Sequence, residues 1–207
     1  PFNLKKMSPS GALFDMDKLN DVSKNVIAAM DAETVTDSIL AWSEQYAPAF
    51  HALLSRDRAY AVSLFGIDRG GSKPRKDLAK WSDAPDYAAY FFEDPFDGAF
   101  ELPETIDAGD AVRILEQYKN VYDPSLDKQA WFDAIKAMCP ALGFCPEVKA
   151  YKQDPTGWKG HVGDVSNVVR VAITGRKNSP DLWSIMTLLG KERSLSRLEK
   201  MKEFLAK

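Results

Sequence analysis

Val168-Val169-Arg170-Val171-Ala172-Ile173-Thr174 is the stretch on which the fold class turns, because it reads in two ways. Its β-branched residues suit a strand, whereas Val165, Val168, Val169, Ala172 and Ile173 also line one face of a helix. The sequence around it is clearer. Towards the C-terminus, Leu182, Ile185, Met186 and Leu189 recur at helical spacing behind Ser179-Pro180, a capping side chain followed by proline, and Leu195, Leu198, Met201 and Leu205 repeat the spacing. Towards the N-terminus, Trp131, Phe132, Ile135, Met138, Cys139 and Leu142 form an apolar stripe behind Asp123-Pro124. Val35, Ile39, Trp42, Tyr46, Phe50, Leu53 and Leu54 predict one long helix, and Val22, Val26, Ile27 and Met30 predict another. With no internal repeat, the expected fold is all-α, with loops at 66–74, 93–103 and 152–163. Two helical subdomains, 1–100 and 101–207, are expected to meet in the acidic, proline-containing stretch 94–107.

At 207 residues the chain can bury a real core. Its 45% hydrophobic, 11% aromatic and 28% charged residues exclude collagen-like, coiled-coil and disordered classes. No apolar run approaches the ~20 residues needed to span a bilayer. The net charge of −3 gives no global reason to expect a nucleic acid, but charge is segregated. Arg69, Lys73, Arg75, Lys76 and Lys80 stand against Asp77 alone over 69–80, the stretch 82–110 is acidic without Lys or Arg, and 170–207 is again basic. Folding could join the two basic stretches in one face. The absence of a signal peptide, with only two cysteines, points to reducing cytosol, and a start at Pro1 suggests a fragment.

Candidate chemistry is sparse. There is no Gly-rich phosphate loop, Rossmann fingerprint or Walker pattern, and two cysteines with two histidines are too few for a structural zinc site. Cys139 and Cys145 read as small core hydrophobes, and His51 and His161 as structural residues, since neither has a nucleophile or carboxylate at fixed spacing. No catalytic residue and no metal ligand is expected. Lys6-Met7-Ser8-Pro9-Ser10 has the outline of a KMSKS loop, but Pro9 replaces the second lysine and removes a backbone donor; it reads as a decoy.

The segments that follow are more specific. Ser10-Gly11-Ala12-Leu13-Phe14-Asp15-Met16-Asp17-Lys18-Leu19 resembles the GAxFDxxKL segment of bacterial glutamyl-tRNA synthetases, class I aminoacyl-tRNA synthetases. Lys73-Pro74-Arg75-Lys76-Asp77 with Tyr90-Phe91-Phe92-Glu93-Asp94 is similar to the PRxD and aromatic-acid pattern of their anticodon domain. Arg170-Val171-Ala172-Ile173-Thr174-Gly175, then Ser179-Pro180-Asp181-Leu182 and Leu188-Leu189-Gly190-Lys191-Glu192-Arg193, resembles their C-terminal succession. The three matches occur in order and cover nearly the whole chain. Asp21 and Ser23 depart from the Trp and Asn of many relatives, and the loop 66–72 is longer than in compact ones.

The resemblance implies a multihelical anticodon-binding part that positions tRNA(Glu) for glutamylation. It implies that Arg75 meets the third anticodon base, that Arg170 and Ser179 meet the first, and that Lys18 lies in the stem-contact region. An arginine presents planar donors to a cytosine O2/N3 edge and would leave the donors of a guanine edge poorly served, so Arg75 favours an enzyme that discriminates tRNA(Glu) from tRNA(Gln). Arg69, Lys73, Lys76, Arg176 and Lys177 are the expected tRNA backbone contacts. Each has a bland alternative: Arg170 could snorkel to a local acid, and Ser179 before Pro180 also suits an N-cap. ATP and Mg²⁺ are implied for the parent enzyme, which would be cytoplasmic and monomeric; the fragment itself is expected to need no cofactor. The catalytic domain of the same polypeptide is the implied protein partner. Two other classes compete: an independent helical protein-interaction domain with Trp42, Trp81, Trp131, Trp158 and Trp183 as interface anchors, and a helical hydrolase, for which the sequence supplies no recognisable site.

Overall fold

The computed structural model describes residues 15–93 and 102–206. The 6–10 motif, the front of the 10–19 segment and the 94–101 part of the expected boundary lie outside the described residues. The undecided stretch is helical and forms α9 (Val162–Thr174). Val165, Val168, Val169, Val171, Ala172 and Ile173 are fully shielded from solvent, so α9 is apolar nearly all round and serves as a central rod. It packs against α6 (Ala108–Val121), α7 (Lys128–Leu142) and α11 (Lys191–Leu205). A β-branched residue costs a helix well under ~1 kcal/mol, whereas full burial of a valine contributes about 1.5–3 kcal/mol. Burial therefore decides the conformation. At the N-terminus of α9 the His161 ring accepts from the Gly163 N–H at 3.0 Å, while the Asp164 carboxylate accepts from the His161 N–H at 2.8 Å, a reciprocal cap. Gly175, at φ 70°, closes the other end.

The elements before the bundle are α1 (Met16–Ala29), α2 (Ala32–Tyr46), α3 (Pro48–Arg56), α4 (Arg58–Gly66) and a 3-10 turn, Trp81–Asp83, that runs into α5 (Ala84–Phe92). After α7 come β1 (Phe144–Cys145), α8 (Val148–Gln153) and β2 (Gly160–His161), and α10 (Leu182–Leu189) separates α9 from α11. The two strands pair in parallel, Phe144 opposite Gly160 and Cys145 opposite His161. They are too short to alter the all-α class. Residues on both sides of 94–101 contribute to one buried apolar cluster, and α4 packs against α10.

The structure corrects three sequence expectations. The long helix through 35–54 is two helices, because Pro48 lacks an N–H and drives Ala47 out of the helical region to φ −147° and ψ 64°. Pro48 then starts α3, a position that proline tolerates. Asp123-Pro124 is a turn, with the Asp123 carboxylate accepting from the Ser125 N–H at 2.9 Å, and the cap of α7 is Asp127, which accepts from the Ala130 N–H at 2.9 Å. Ser179 does not cap α10 either. Asp181 does, accepting from the Ser184 N–H at 2.9 Å. The helix expected from Val22, Val26, Ile27 and Met30 forms as α1, which buries Ile27 and Ala28 while Val22 and Val26 stay 53% and 54% exposed.

Cys139 and Cys145 are free thiols in the core, and burial pushes the Cys139 thiol up to about 11. His51 is structural, its Nδ1 lying 3.1 Å from the Leu40 carbonyl. Trp131 is buried with its indole N–H donating to the Tyr118 hydroxyl at 2.7 Å, so it is a core residue and not an interface anchor.

Candidate nucleic-acid interface

Two irregular segments meet across the chain: 67–80, which follows α4, and 175–181, which follows the closing Gly175 of α9. With α5 they enclose a cleft of about 350 Å³ lined by Arg75, Asp77, Asp86, Tyr87, Tyr90, Arg176, Asn178 and Ser179 among others. Three of the residues expected to contact tRNA thus share one site.

Arg75 is the most tightly specified of them. Its Nε and Nη2 donate to the two carboxylate oxygens of Asp77, each at 2.8 Å, and Nη2 also donates to Asn178 Oδ1 at 3.3 Å. The Asp77 carboxylate raises the Arg75 guanidinium above its ordinary value. A bidentate pair fixes the plane of the guanidinium. With Nε and Nη2 engaged, Nη1 is the donor left to meet a ligand in the cleft.

Arg170 reaches out of the apolar rod and donates to the Ser179 hydroxyl, the Ser179 carbonyl at 3.1 Å and the Pro180 carbonyl at 2.8 Å. Burial, and next the like charge of Arg75, lower its pKa from the usual arginine value. Its immediate partners are neutral oxygens, so the local acid expected as its bland partner is not among them. Ser179 is buried, 6% exposed, and acts as the floor on which Arg170 rests. Arg176 lies 5.6 Å over the Tyr90 ring and donates to the Asp86 carbonyl at 2.7 Å and carboxylate at 3.0 Å. Tyr87 stacks on Phe65 at 6.0 Å. The Tyr87 and Tyr90 hydroxyls are held well above the usual tyrosine range by burial. Both hydroxyls remain neutral at physiological pH; Tyr87 is half-buried at the cleft, whereas Tyr90 is buried.

The remaining residues divide. Lys73 and Lys76 are exposed on the Arg75 loop, and Lys177 is half-buried beside Arg176. Lys18 is exposed in the first turn of α1 and does not line the cleft. Arg69 turns inward. Its Nε donates to the Phe65 carbonyl at 2.9 Å and its Nη1 to the Ile27 and Met30 carbonyls at 2.5 and 3.1 Å, closing the C-termini of α4 and α1 together. The phosphate role expected of Arg69 therefore competes with three hydrogen bonds inside the fold.

Within the C-terminal basic stretch, where Lys191, Arg193 and Lys200 are exposed, two arginines also reach backbone carbonyls. Arg193 donates to the Phe91 carbonyl at 2.6 Å, and Arg197, 3% exposed, donates to Ile173 and Tyr90 carbonyls at 2.6 Å each and to Glu93 at 2.9 Å. Lys119 pairs with Glu199, which Lys202 also meets at 2.6 Å. The cleft is mixed in sign, because Asp77, Asp83 and Asp86 line it with the arginines. Asp77, Asn178, Tyr87 and Tyr90 escaped the sequence reading as site residues. Asp77 had a signal: it stands two residues after Arg75 in the PRxD pattern.

Comparison with known proteins extends these observations. Residues 156–202 match the family model described as an anticodon binding domain. Glutamate–tRNA ligase of Acetivibrio thermocellus is 41% identical over 201 residues, covering 97% of this chain and 37% of the relative. That of Clostridium perfringens strain SM101 is 42% identical over 207 residues, covering 98% of this chain and 37% of the relative. Among solved structures, a glutamate–tRNA ligase from Elizabethkingia meningosepticum superposes with a TM-score of 0.55 at 20% identity, over 98% of this chain and 35% of that one. At that identity the likeness is one of fold. The chain spans about 37% of the length of the curated relatives it matches. Nearly all of its sequence is homologous to the C-terminal part of glutamate–tRNA ligases, and its helical fold is theirs.

Proposed function

We propose that this chain binds the anticodon arm of tRNA(Glu) and positions that tRNA for glutamylation by a catalytic domain of the same polypeptide. The observation that carries this reading is the cleft, which brings Arg75 of one loop and Arg176, Asn178 and Ser179 of another to one place. Sequence-specific RNA recognition works on splayed bases that stack on aromatic or guanidinium planes and hydrogen-bond along their edges. Arg75 Nη1 offers a fixed donor for such an edge, and Tyr87 and Arg176, both half-buried at the cleft, offer planes, with Tyr90 buried beneath Arg176. Arg170 with Ser179 supports the neighbouring wall, where the first anticodon base would lie.

The parent enzyme's chemistry lies elsewhere. ATP needs a phosphate cradle, and this sequence has no Gly-rich loop of that kind. Among the described residues no group of His, Cys, Asp or Glu could hold a metal ion. In this reading ATP and Mg²⁺ belong to the catalytic domain, since nothing among the described residues fits them. The parent is proposed to be monomeric and cytoplasmic. Among the described residues no helix is long and apolar enough to cross a membrane.

Lys73 and Lys76, exposed on the Arg75 loop, and Arg176 and Lys177 beside the cleft are the main phosphate contacts in this reading. Roughly four contacts give a log–log slope of binding against salt of about −3, hence a fall of about 60-fold between 50 and 200 mM salt. Titrating the chain with fluorescent tRNA(Glu) at several salt concentrations checks this. A flat dependence would favour the competing reading, a protein-interaction domain. That reading draws on the exposed apolar stripe of α1, where Met16, Leu19, Val22 and Val26 are 54%, 49%, 53% and 54% exposed.

A further inference from the structure

Asp68 is the single non-glycine residue at positive φ among the described residues, at 56°. Aspartate is one of the few side chains that visit this region, and such a conformation persists only where the surroundings over-determine it. The surroundings here are the two loops of the cleft. The Asp68 carbonyl accepts from the Arg75 N–H at 3.3 Å, and its Oδ2 accepts from the Asp181 N–H at 2.8 Å. Asp181 is the N-cap of α10 and pairs through its own carboxylate with Lys128 at 2.7 Å. Two residues before Pro180, Asn178 receives the Arg75 guanidinium.

We infer that Asp68 is a positioning residue that locks the Arg75 loop to the 175–181 loop, so that the groups facing the first and third anticodon bases act as one pre-set unit. The inference rests on the anticodon reading for its consequence in RNA binding, but the lock itself is a property of the free protein. Asp68 is a carboxylate beside a proposed phosphate path, a poor choice for touching RNA and a suitable one for holding a backbone N–H. Without the lock, each loop would have to be ordered at the moment of binding, and discrimination at both bases would fall together.

Two variants separate the lock from mere folding. Asp68→Gly keeps the backbone freedom and removes the acceptor, whereas Asp68→Asn tolerates the same backbone and keeps a carbonyl oxygen at the end of the side chain. In the chain without RNA, Asp68→Gly should speed amide hydrogen exchange at Asp181 and across 175–181 by about 3–10-fold, the equivalent of one lost hydrogen bond. Exchange in α6 and α7 should be unchanged, and Asp68→Asn should stay close to wild type. With anticodon stem-loop RNAs altered at the first or the third base, Asp68→Gly should lower both discrimination ratios by a similar factor. Faster exchange confined to 67–72, or loss of discrimination at the third base alone, would overturn the lock. If wild type shows no preference among these RNAs, the anticodon reading fails, while the exchange data still decide whether Asp68 ties the loops.

Discussion

Replacing Arg197 by Met should lower the free energy of unfolding by about 3–4 kcal/mol. Methionine keeps much of the apolar stem, so the loss isolates the guanidinium. That group satisfies the Ile173 carbonyl at the end of α9 and the Tyr90 and Glu93 carbonyls at the end of α5. Buried carbonyls stripped of their donor each cost about 1–3 kcal/mol, with partial relief as water enters. Arg197→Lys should recover only part of the stability, because an ammonium is a point charge and cannot span acceptors on two helices. Denaturant unfolding followed by circular dichroism measures the difference; a loss below about 1 kcal/mol would show that the two helix ends find other donors. Tyr90 lines the cleft proposed to bind RNA, so a milder form of this damage should also weaken RNA binding if that proposal holds.

The second large effect is on specificity. Arg75→Gln in the full-length enzyme should lower the ratio of kcat/KM for tRNA(Glu) over tRNA(Gln) by about 5–150-fold, corresponding to a lost contact of roughly 1–3 kcal/mol to a base edge. The glutamine amide leaves Asp77 without its bidentate partner and presents both a donor and an acceptor to the base, so a guanine edge is no longer disfavoured. Lys76→Gln is the control. Lys76 is exposed on the same loop, and its loss should weaken both tRNAs alike. If Arg75→Gln also lowers both alike and leaves the ratio unchanged, Arg75 is a phosphate contact and the parent enzyme is not made discriminating by it.

How much of this was legible depends on which residues carry it. Apolar spacing revealed α7, α10 and α11, because each presents one stripe to a shared core. The buried spacing of Ala111, Ile114, Leu115 and Tyr118 in α6 follows the same rule and was equally available. Periodicity could not settle α9, since a rod buried nearly all round has no polar face to set its period. Cap signatures misled at Asp123-Pro124 and Ser179-Pro180, where proline marks a turn before the helix, and Asp127 and Asp181 do the capping.

Charge was the least legible feature. A guanidinium suits a backbone carbonyl and a phosphate equally well, so a basic stretch cannot reveal that Arg69 and Arg197 turn inward and that the exposed Arg193 reaches the Phe91 carbonyl. Their partners come from distant parts of the chain, as with Arg197 and Tyr90. Arg75 was found through a family pattern, but what Asp77 and Asn178 do to it appears only once two loops far apart in sequence are brought together.

The central claim, that the cleft reads an anticodon, is tested most directly by the unmodified chain. Its affinity is measured by fluorescence anisotropy, at fixed 100 mM salt, for the anticodon stem-loop of tRNA(Glu) and for the same stem-loop with the third anticodon base changed from C to G. A base edge matched to a fixed guanidinium donor is worth roughly 1–3 kcal/mol, so the cytosine RNA should bind about 5–150-fold more tightly. Equal affinity for the two RNAs, with the chain folded and salt-dependent binding intact, would contradict the account and leave the cleft a backbone contact without anticodon specificity.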